Sequence, residues 1–159
     1  MMNSRGFTIV ELIVVLTIIT ILTTLASLVW SRMSAKTAIE GQIKAVHADM
    51  MRIRLEALYG KRERRVAFSG KVFNVYSSDI QTTAPLESRT FKYNFTTDTF
   101  VFTTSGLVSG IGGSVCVDPY IDFTKGNDAY VDSLVVSDGR ISLGKRTGAG
   151  CISDDITKR

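Results

Sequence analysis

The side chains in this sequence that could do chemistry are few, and their spacing points away from catalysis. One histidine, His47, and two cysteines, Cys116 and Cys151, are scattered through 159 residues. A catalytic nucleophile needs a base within hydrogen-bond reach and a third group that orients the base. No such set emerges, so neither a catalytic residue nor an enzymatic activity is expected. Zinc asks for four ligands, and two thiols plus one imidazole on a different element do not supply them. Asp118, Asp122, Asp128, Asp132 and Asp138 could line a calcium loop, but their spacing does not fit an EF-hand loop. They read as loop and strand-edge carboxylates facing water, and no metal or cofactor is expected. Gly106, Gly110, Gly112 and Gly113 mark a loop that lacks the Gly-Lys-Ser/Thr ending of a phosphate cradle.

What remains is the chemistry of single charges and thiols. Glu11 is the lone ionisable side chain between residues 7 and 30. A carboxylate inside an apolar span costs about 2.5 to 3.5 kcal/mol even on the permissive insertion scale, so it should have a partner. Alternatively, it reaches interfacial water and favours the helix N-terminus. The formal charge of +4 owes much to Lys61, Arg62, Arg64 and Arg65, interrupted only by Glu63; this cluster reads as a solvated helix end. In an exported chain the two cysteines would meet an oxidising compartment. One disulfide would then close a loop of about 35 residues, worth roughly 3 to 4 kcal/mol; two separate buried thiols are the alternative.

These residues must be positioned by a small number of elements. The length suits one modest domain plus one long helix. Residues 7–30 form an apolar stretch of 24 positions, about 36 Å as a helix, enough to span a bilayer core of roughly 30 Å. A conventional secretory signal clipped near Ala26 fits poorly, because the stretch is too long, holds a carboxylate and follows only six residues. The hydroxyls of Thr17, Thr20, Thr23 and Thr24 can bond back to carbonyls one turn earlier. Basic residues lie on both sides of the span, Arg5 before it and Arg32, Lys36 and Lys44 after it, so charge alone leaves its orientation ambiguous. Ile39, Ile43, Val46, Met50, Ile53 and Ala57 then recur at steps of three and four, which predicts an amphipathic helix to about Tyr59. His47 borders that stripe as a packing or surface residue. From Val66 onward alternation predicts strands, with turns at Thr96–Thr99 and at Asp138-Gly139.

The sequence Arg5-Gly6-Phe7-Thr8-Ile9-Val10-Glu11-Leu12 opening an apolar helix resembles the class III signal of type IV pilins and type II secretion pseudopilins. The later segment Ser137-Asp138-Gly139-Arg140-Ile141-Ser142-Leu143, with Cys151-Ile152, resembles the FimT/GspH minor subunits. The resemblance implies an α+β fold: a long N-terminal transmembrane helix continues into an amphipathic helix packed on a small antiparallel β-sheet head, in a lollipop shape. The divisions it implies are a cleaved leader at 1–6, a transmembrane and filament-core helix at 7–30, an amphipathic half at 31–60 and a β-rich head at 61–159. It further implies cleavage by a prepilin peptidase between Gly6 and Phe7, N-methylation of Phe7, and docking of Glu11 onto the amino terminus of a neighbouring subunit.

The partners implied are other pilin or pseudopilin subunits and the inner-membrane assembly platform. The location implied is the bacterial inner membrane, single-pass with the head in the periplasm, and then a pilus or pseudopilus. Where many principal pilins carry a helix-weakening Gly and Pro this chain has Thr20 and Leu28, which favours a minor subunit that initiates or caps a pilus. A type II secretion minor pseudopilin is one alternative. A DNA-binding pilin is another, with Arg140, Lys145 and Arg146 as candidates and Lys158 and Arg159 nearby. Ser142 stands where the family's second Arg would be.

Overall fold

The computed structural model describes residues 8–77, 84–118, 127–148 and 150–159, the side chain of Leu28 excepted. Among the described residues one α-helix, α1 (Ile9–Gly60), is followed by six strands: β1 (Arg64–Tyr76), β2 (Glu87–Phe102), β3 (Gly113–Asp118), β4 (Ser133–Ser137), β5 (Arg140–Arg146) and β6 (Ile156–Lys158). The chain divides into two compact units, one ending at Ser34 and one running from Ala35 to Arg159.

The described part of the first unit is helix from Ile9 onward. Its apolar residues, among them Leu12, Ile18, Leu22 and Leu25, are exposed, and α1 is long and apolar enough to cross a membrane. Its hydroxyls are satisfied locally: Thr17 donates to Val14 O, Thr20 to Thr17 O, Thr23 to Ile19 O, Thr24 to Thr20 O and Ser27 to Thr24 O. Each hydroxyl proton is thereby paired with a backbone carbonyl, which lets four threonines and a serine sit in an apolar span.

In the second unit the stripe works as its period requires. Ile39, Ile43, Val46, Met50, Ile53 and Ala57 are each at most 1% exposed and pack on one face of the sheet. Each large side chain taken from water contributes about 1.5–3 kcal/mol, so an Ile43→Asp change would undo the packing. The opposing layer is aromatic, with Phe68 at ring-centroid distances of 5.1 Å from Phe73 and 5.3 Å from Phe95. The helix ends where Lys61 takes φ 49° and the Arg62 N–H donates to Ala57 O at 3.3 Å. This is the left-handed closure that captures an orphan carbonyl at a helix C-terminus.

The sheet is an antiparallel meander in chain order, β1 to β6. The Asp138-Gly139 turn is present, with Ser137 opposite Arg140 across a two-residue loop. The turn expected at Thr96–Thr99 is not: these residues run straight through the 16-residue strand β2. None of the four is a glycine or asparagine that would favour positive φ, and three are β-branched threonines. The irregularity falls instead opposite Gly70, whose φ is 55°. Gly70 pairs with Phe95 while Val72 pairs with Thr90, so β2 carries extra residues there, and a glycine meets the conformational demand of the bulge.

The basic cluster also departs from the expected solvated helix end. Arg64 and Arg65 open strand β1. Arg65 is only 7% exposed, and its guanidinium lies 5.4 Å from the centroid of the Tyr76 ring. Its long aliphatic stem and its attraction to the ring face make this burial tolerable.

Candidate functional site

The expected cleavage junction, Gly6 and Phe7, lies outside the described residues. The site begins at Thr8, whose Oγ1 accepts a hydrogen bond from the Glu11 N–H at 3.2 Å. Thr8 is the N-cap of α1 and Glu11 occupies its third helical position, the Ser/Thr-x-x-Glu spacing of a capping box. The Thr8-x-x-Glu11 spacing is itself a sequence signal for this helix start. The cap fixes where the helix starts, and so places the Glu11 carboxylate in the first turn, next to the positive end of the helix dipole. The side chains around it, Ile9, Val10 and Leu12, are exposed apolar groups. An anionic group held at a fixed depth on an apolar rod can accept a cation or an ammonium group from outside the helix.

A second constellation lies at one end of the sheet. Cys116 and Cys151 form a disulfide with a sequence separation of 35, which settles the choice between one bridge and two thiols. The Thr96 hydroxyl accepts from Cys116 N–H at 3.1 Å and faces Cys151 Sγ at 3.6 Å, and Ser114 Oγ donates to Cys151 O at 2.8 Å. With Val135 and Ile156 the bridge makes a small second core.

Asp118 and Asp132 do not face water as expected; they are 0% and 1% exposed. Arg146 Nη2 donates to Asp118 Oδ2 at 2.6 Å. Lys145 Nζ donates to Asp132 Oδ2 at 2.8 Å, to Asn127 O at 2.7 Å and to Asn127 Oδ1 at 3.0 Å. Asp132 Oδ1 accepts from Arg146 N–H and from the Ser133 hydroxyl. Two buried carboxylates are thus each matched by a cation, Arg146 itself buried and Lys145 partly so, as buried charges must be.

This changes what the basic candidates can do. Of Arg140, Lys145 and Arg146, the last two are turned toward carboxylates, and Arg140 stands exposed at the hairpin end. Arg159 lies over the Tyr130 ring at 3.9 Å. The structure therefore gathers no patch of free cations from Arg140, Lys145 and Arg146. Asp128 and Asp138 are exposed, and Asp122 lies outside the described residues. Among the described residues no group of three or more His, Cys, Asp or Glu side chains could hold a metal ion. His47 is half-buried, with Nε2 3.3 Å from Ile141 O. Burial raises the pKa of Asp98 above its ordinary value, against the opposing effect of the Thr99 and Ser114 backbone N–H groups.

Residues 1–27 match the prokaryotic N-terminal methylation motif. A search of curated proteins finds no match. Among solved structures, the Pseudomonas aeruginosa (strain PAO1) type IV minor pilin FimU in space group P21 aligns with a TM-score of 0.54 at 15% identity, covering 69% of this chain and 90% of that one. Its P65 form aligns with a TM-score of 0.48 at 21% identity, covering 67% and 90%. At 15% identity the likeness to the P21 form speaks for the fold, a long helix with an antiparallel sheet, and the motif speaks for the N-terminus. The chain is therefore pilin-like, with a prepilin methylation motif on an apolar N-terminal helix and the fold of a type IV minor pilin.

Proposed function

We propose that the chain is a minor subunit of a type IV pilus, made as a precursor, held in the inner membrane with its head in the periplasm, and assembled into the filament to initiate or cap it. The observation that carries this reading is Glu11: one carboxylate in the Thr8-capped first turn of an exposed apolar helix of membrane-spanning length, inside a methylation motif. Prepilin peptidase cleaves between Gly6 and Phe7 and methylates Phe7. The new amino terminus of one subunit then meets Glu11 of its neighbour, so that a charge pair forms as the protomer leaves the bilayer. Other pilins and the inner-membrane platform are the partners. The working divisions are 1–6, 7–30, 31–60 and 61–159, and the role is structural, without catalysis. A FimT/GspH-type assignment rests on Ser137–Leu143 and Cys151-Ile152. The same helix and head would serve a type II secretion minor pseudopilin. DNA capture has less support, since Lys145 and Arg146 spend their charges inside the head.

The test is N-terminal mass spectrometry of the chain from its host's membranes, wild type against Gly6→Val. A mature chain starting at methylated Phe7, absent in the variant, supports the reading. A chain starting at Met1 or near Ser27 in both overturns it.

A further inference from the structure

The outer surface of α1 in the second unit carries a feature that packing of the head does not use. Met51, Leu55 and Tyr59 recur every four residues on a face other than the buried stripe, and are 38%, 50% and 80% exposed. Leu55 and Tyr59 form the floor of a shallow groove of about 530 Å³ whose walls include Arg52, Glu56, Gly60 and Arg64.

The two arginines in those walls differ in their bonding. Arg52 is neutralised, donating at 2.7 Å to both Glu56 and Glu87. Among the described residues Arg64 makes one 3.3 Å bond, from Nη1 to its neighbour's carbonyl, Glu63 O, and its Nε has no acceptor. A guanidinium on the groove wall with no carboxylate beside it among the described residues favours an incoming acceptor at its outer nitrogens, best a carboxylate. Lys61 and Arg62 stand exposed beside it. The groove therefore asks for a segment with one apolar anchor and one carboxylate close to it in sequence.

The chain itself offers such a segment elsewhere on the head. Ile152 is 59% exposed, and Asp154 is exposed two residues on. The turn that holds them is rigid: the Asp155 N–H donates to Ile152 O at 3.0 Å, Asp155 O accepts from both Thr147 N–H and its hydroxyl, and the disulfide fixes Cys151 immediately before Ile152. A preorganised turn loses little freedom on docking.

We infer that the Leu55–Tyr59–Arg64 groove receives the Ile152–Asp154 turn of a second copy of this chain. Ile152 covers the Leu55 and Tyr59 floor, and the Asp154 carboxylate accepts from Arg64. Groove and turn are different surfaces of one molecule, so the contact is heterologous, head to tail. It is a contact between heads, separate from the docking of Glu11, and does not depend on it.

The experiment places a photo-reactive benzoylphenylalanine at position 59 of the full chain. Labelled (15N) and unlabelled copies are mixed in lipid vesicles, irradiated, and the cross-linked peptides identified by mass spectrometry. The expected product joins position 59 of one isotope to the peptide carrying Ile152–Asp154 of the other. Its yield falls about tenfold with Arg64→Glu, the loss of one charge-assisted bond, and returns when Arg64→Glu is combined with Asp154→Arg. No cross-link between copies, a cross-link to another segment, or a yield that ignores Arg64→Glu overturns the inference. Failure of the charge-swapped pair to restore the yield also counts against it, because the swap separates pairing from misfolding.

Discussion

Replacing Asp118 by Asn would leave the shape of the head unchanged and remove the buried carboxylate that pairs with the guanidinium of Arg146. The ion pair is 2.6 Å long, and its side chains are 0% and 2% exposed. At an effective dielectric constant of about 20, two unit charges at that separation attract by roughly 6 kcal/mol. Part of this offsets the desolvation of both groups, and breaking one partner of such a pair typically costs about 3–5 kcal/mol. The other carboxylate described in this cluster, Asp132, already holds Lys145 at 2.8 Å. The expected loss is therefore about 3–5 kcal/mol for Asp118→Asn, a fall in midpoint of roughly 10–20 °C for a domain of this size. The double replacement Asp118→Leu with Arg146→Met should recover most of it, since exchanging both members for apolar groups is often neutral. The assay is urea unfolding of the detergent-solubilised full chain, followed by near-UV circular dichroism of the head's tyrosines and phenylalanines. A loss below about 1 kcal/mol for Asp118→Asn, or a double variant as weak as the single one, would refute the reasoning that the pair is dry and locally balanced.

Three further outcomes follow from the same structure. Removing the bridge through Cys116→Ser with Cys151→Ser should cost roughly 3–4 kcal/mol in the same unfolding assay, and reductant should lower the wild type, not the variant, by a similar amount. Gly41 is exposed inside α1, with open space where a Cβ would lie, whereas a Cβ on Gly144 would collide with the Ile156 side chain. Gly41→Ala should thus gain about 0.5–1 kcal/mol, while Gly144→Ala should lose about 1–3 kcal/mol; equal effects of the two would contradict the strand packing described. Asp98 has a folded pKa above its ordinary 3.8, so folding favours its neutral form. Its penalty is absent below that value, grows as pH rises through the raised pKa and is complete above it. Unfolding titrations should show Asp98→Asn gaining on the wild type over that rise and holding a constant offset below it.

The parts of the head legible in the sequence were those set by local periodicity and local turn chemistry. Ile39 to Ala57 repeat with a helix period, and all six are buried. Asp138-Gly139 forms its hairpin because a two-residue turn is decided by the two residues in it. Thr96–Thr99 misled because threonine and aspartate fit turns and strands alike, and pairing with β1 decides between them. The fate of the charges was equally out of reach: Asp118 meets Arg146 28 positions away, and Asp132 meets Lys145 13 away. Nothing local tells a buried aspartate from a solvated one, because burial depends on a partner that folding delivers. At the N-terminus the reverse held. Glu11 was conspicuous for the absence of other charges around it, and the cap from Thr8 lay in plain view three residues earlier.

The contrast between the two units also bears on what Glu11 is for. In the head, the carboxylates taken out of water at Asp118 and Asp132 each meet a cation of the same chain. The surface carboxylates of Asp49 and Glu87 are likewise paired, with Arg89 and Arg52. Glu11 alone sits among exposed apolar side chains on a membrane-length helix with no ion pair among the described residues. A cost of about 2.5–3.5 kcal/mol for such a group in a bilayer is removed if a cation arrives from outside. That difference in energy between the subunit in the bilayer and the subunit docked is what the proposed pairing with a neighbour's amino terminus would supply. A Glu11→Gln variant would lower the cost in the bilayer and lose the partner together. It should therefore accumulate in the membrane at wild-type levels or above while failing to enter filaments, an outcome that a merely helix-capping carboxylate would not produce.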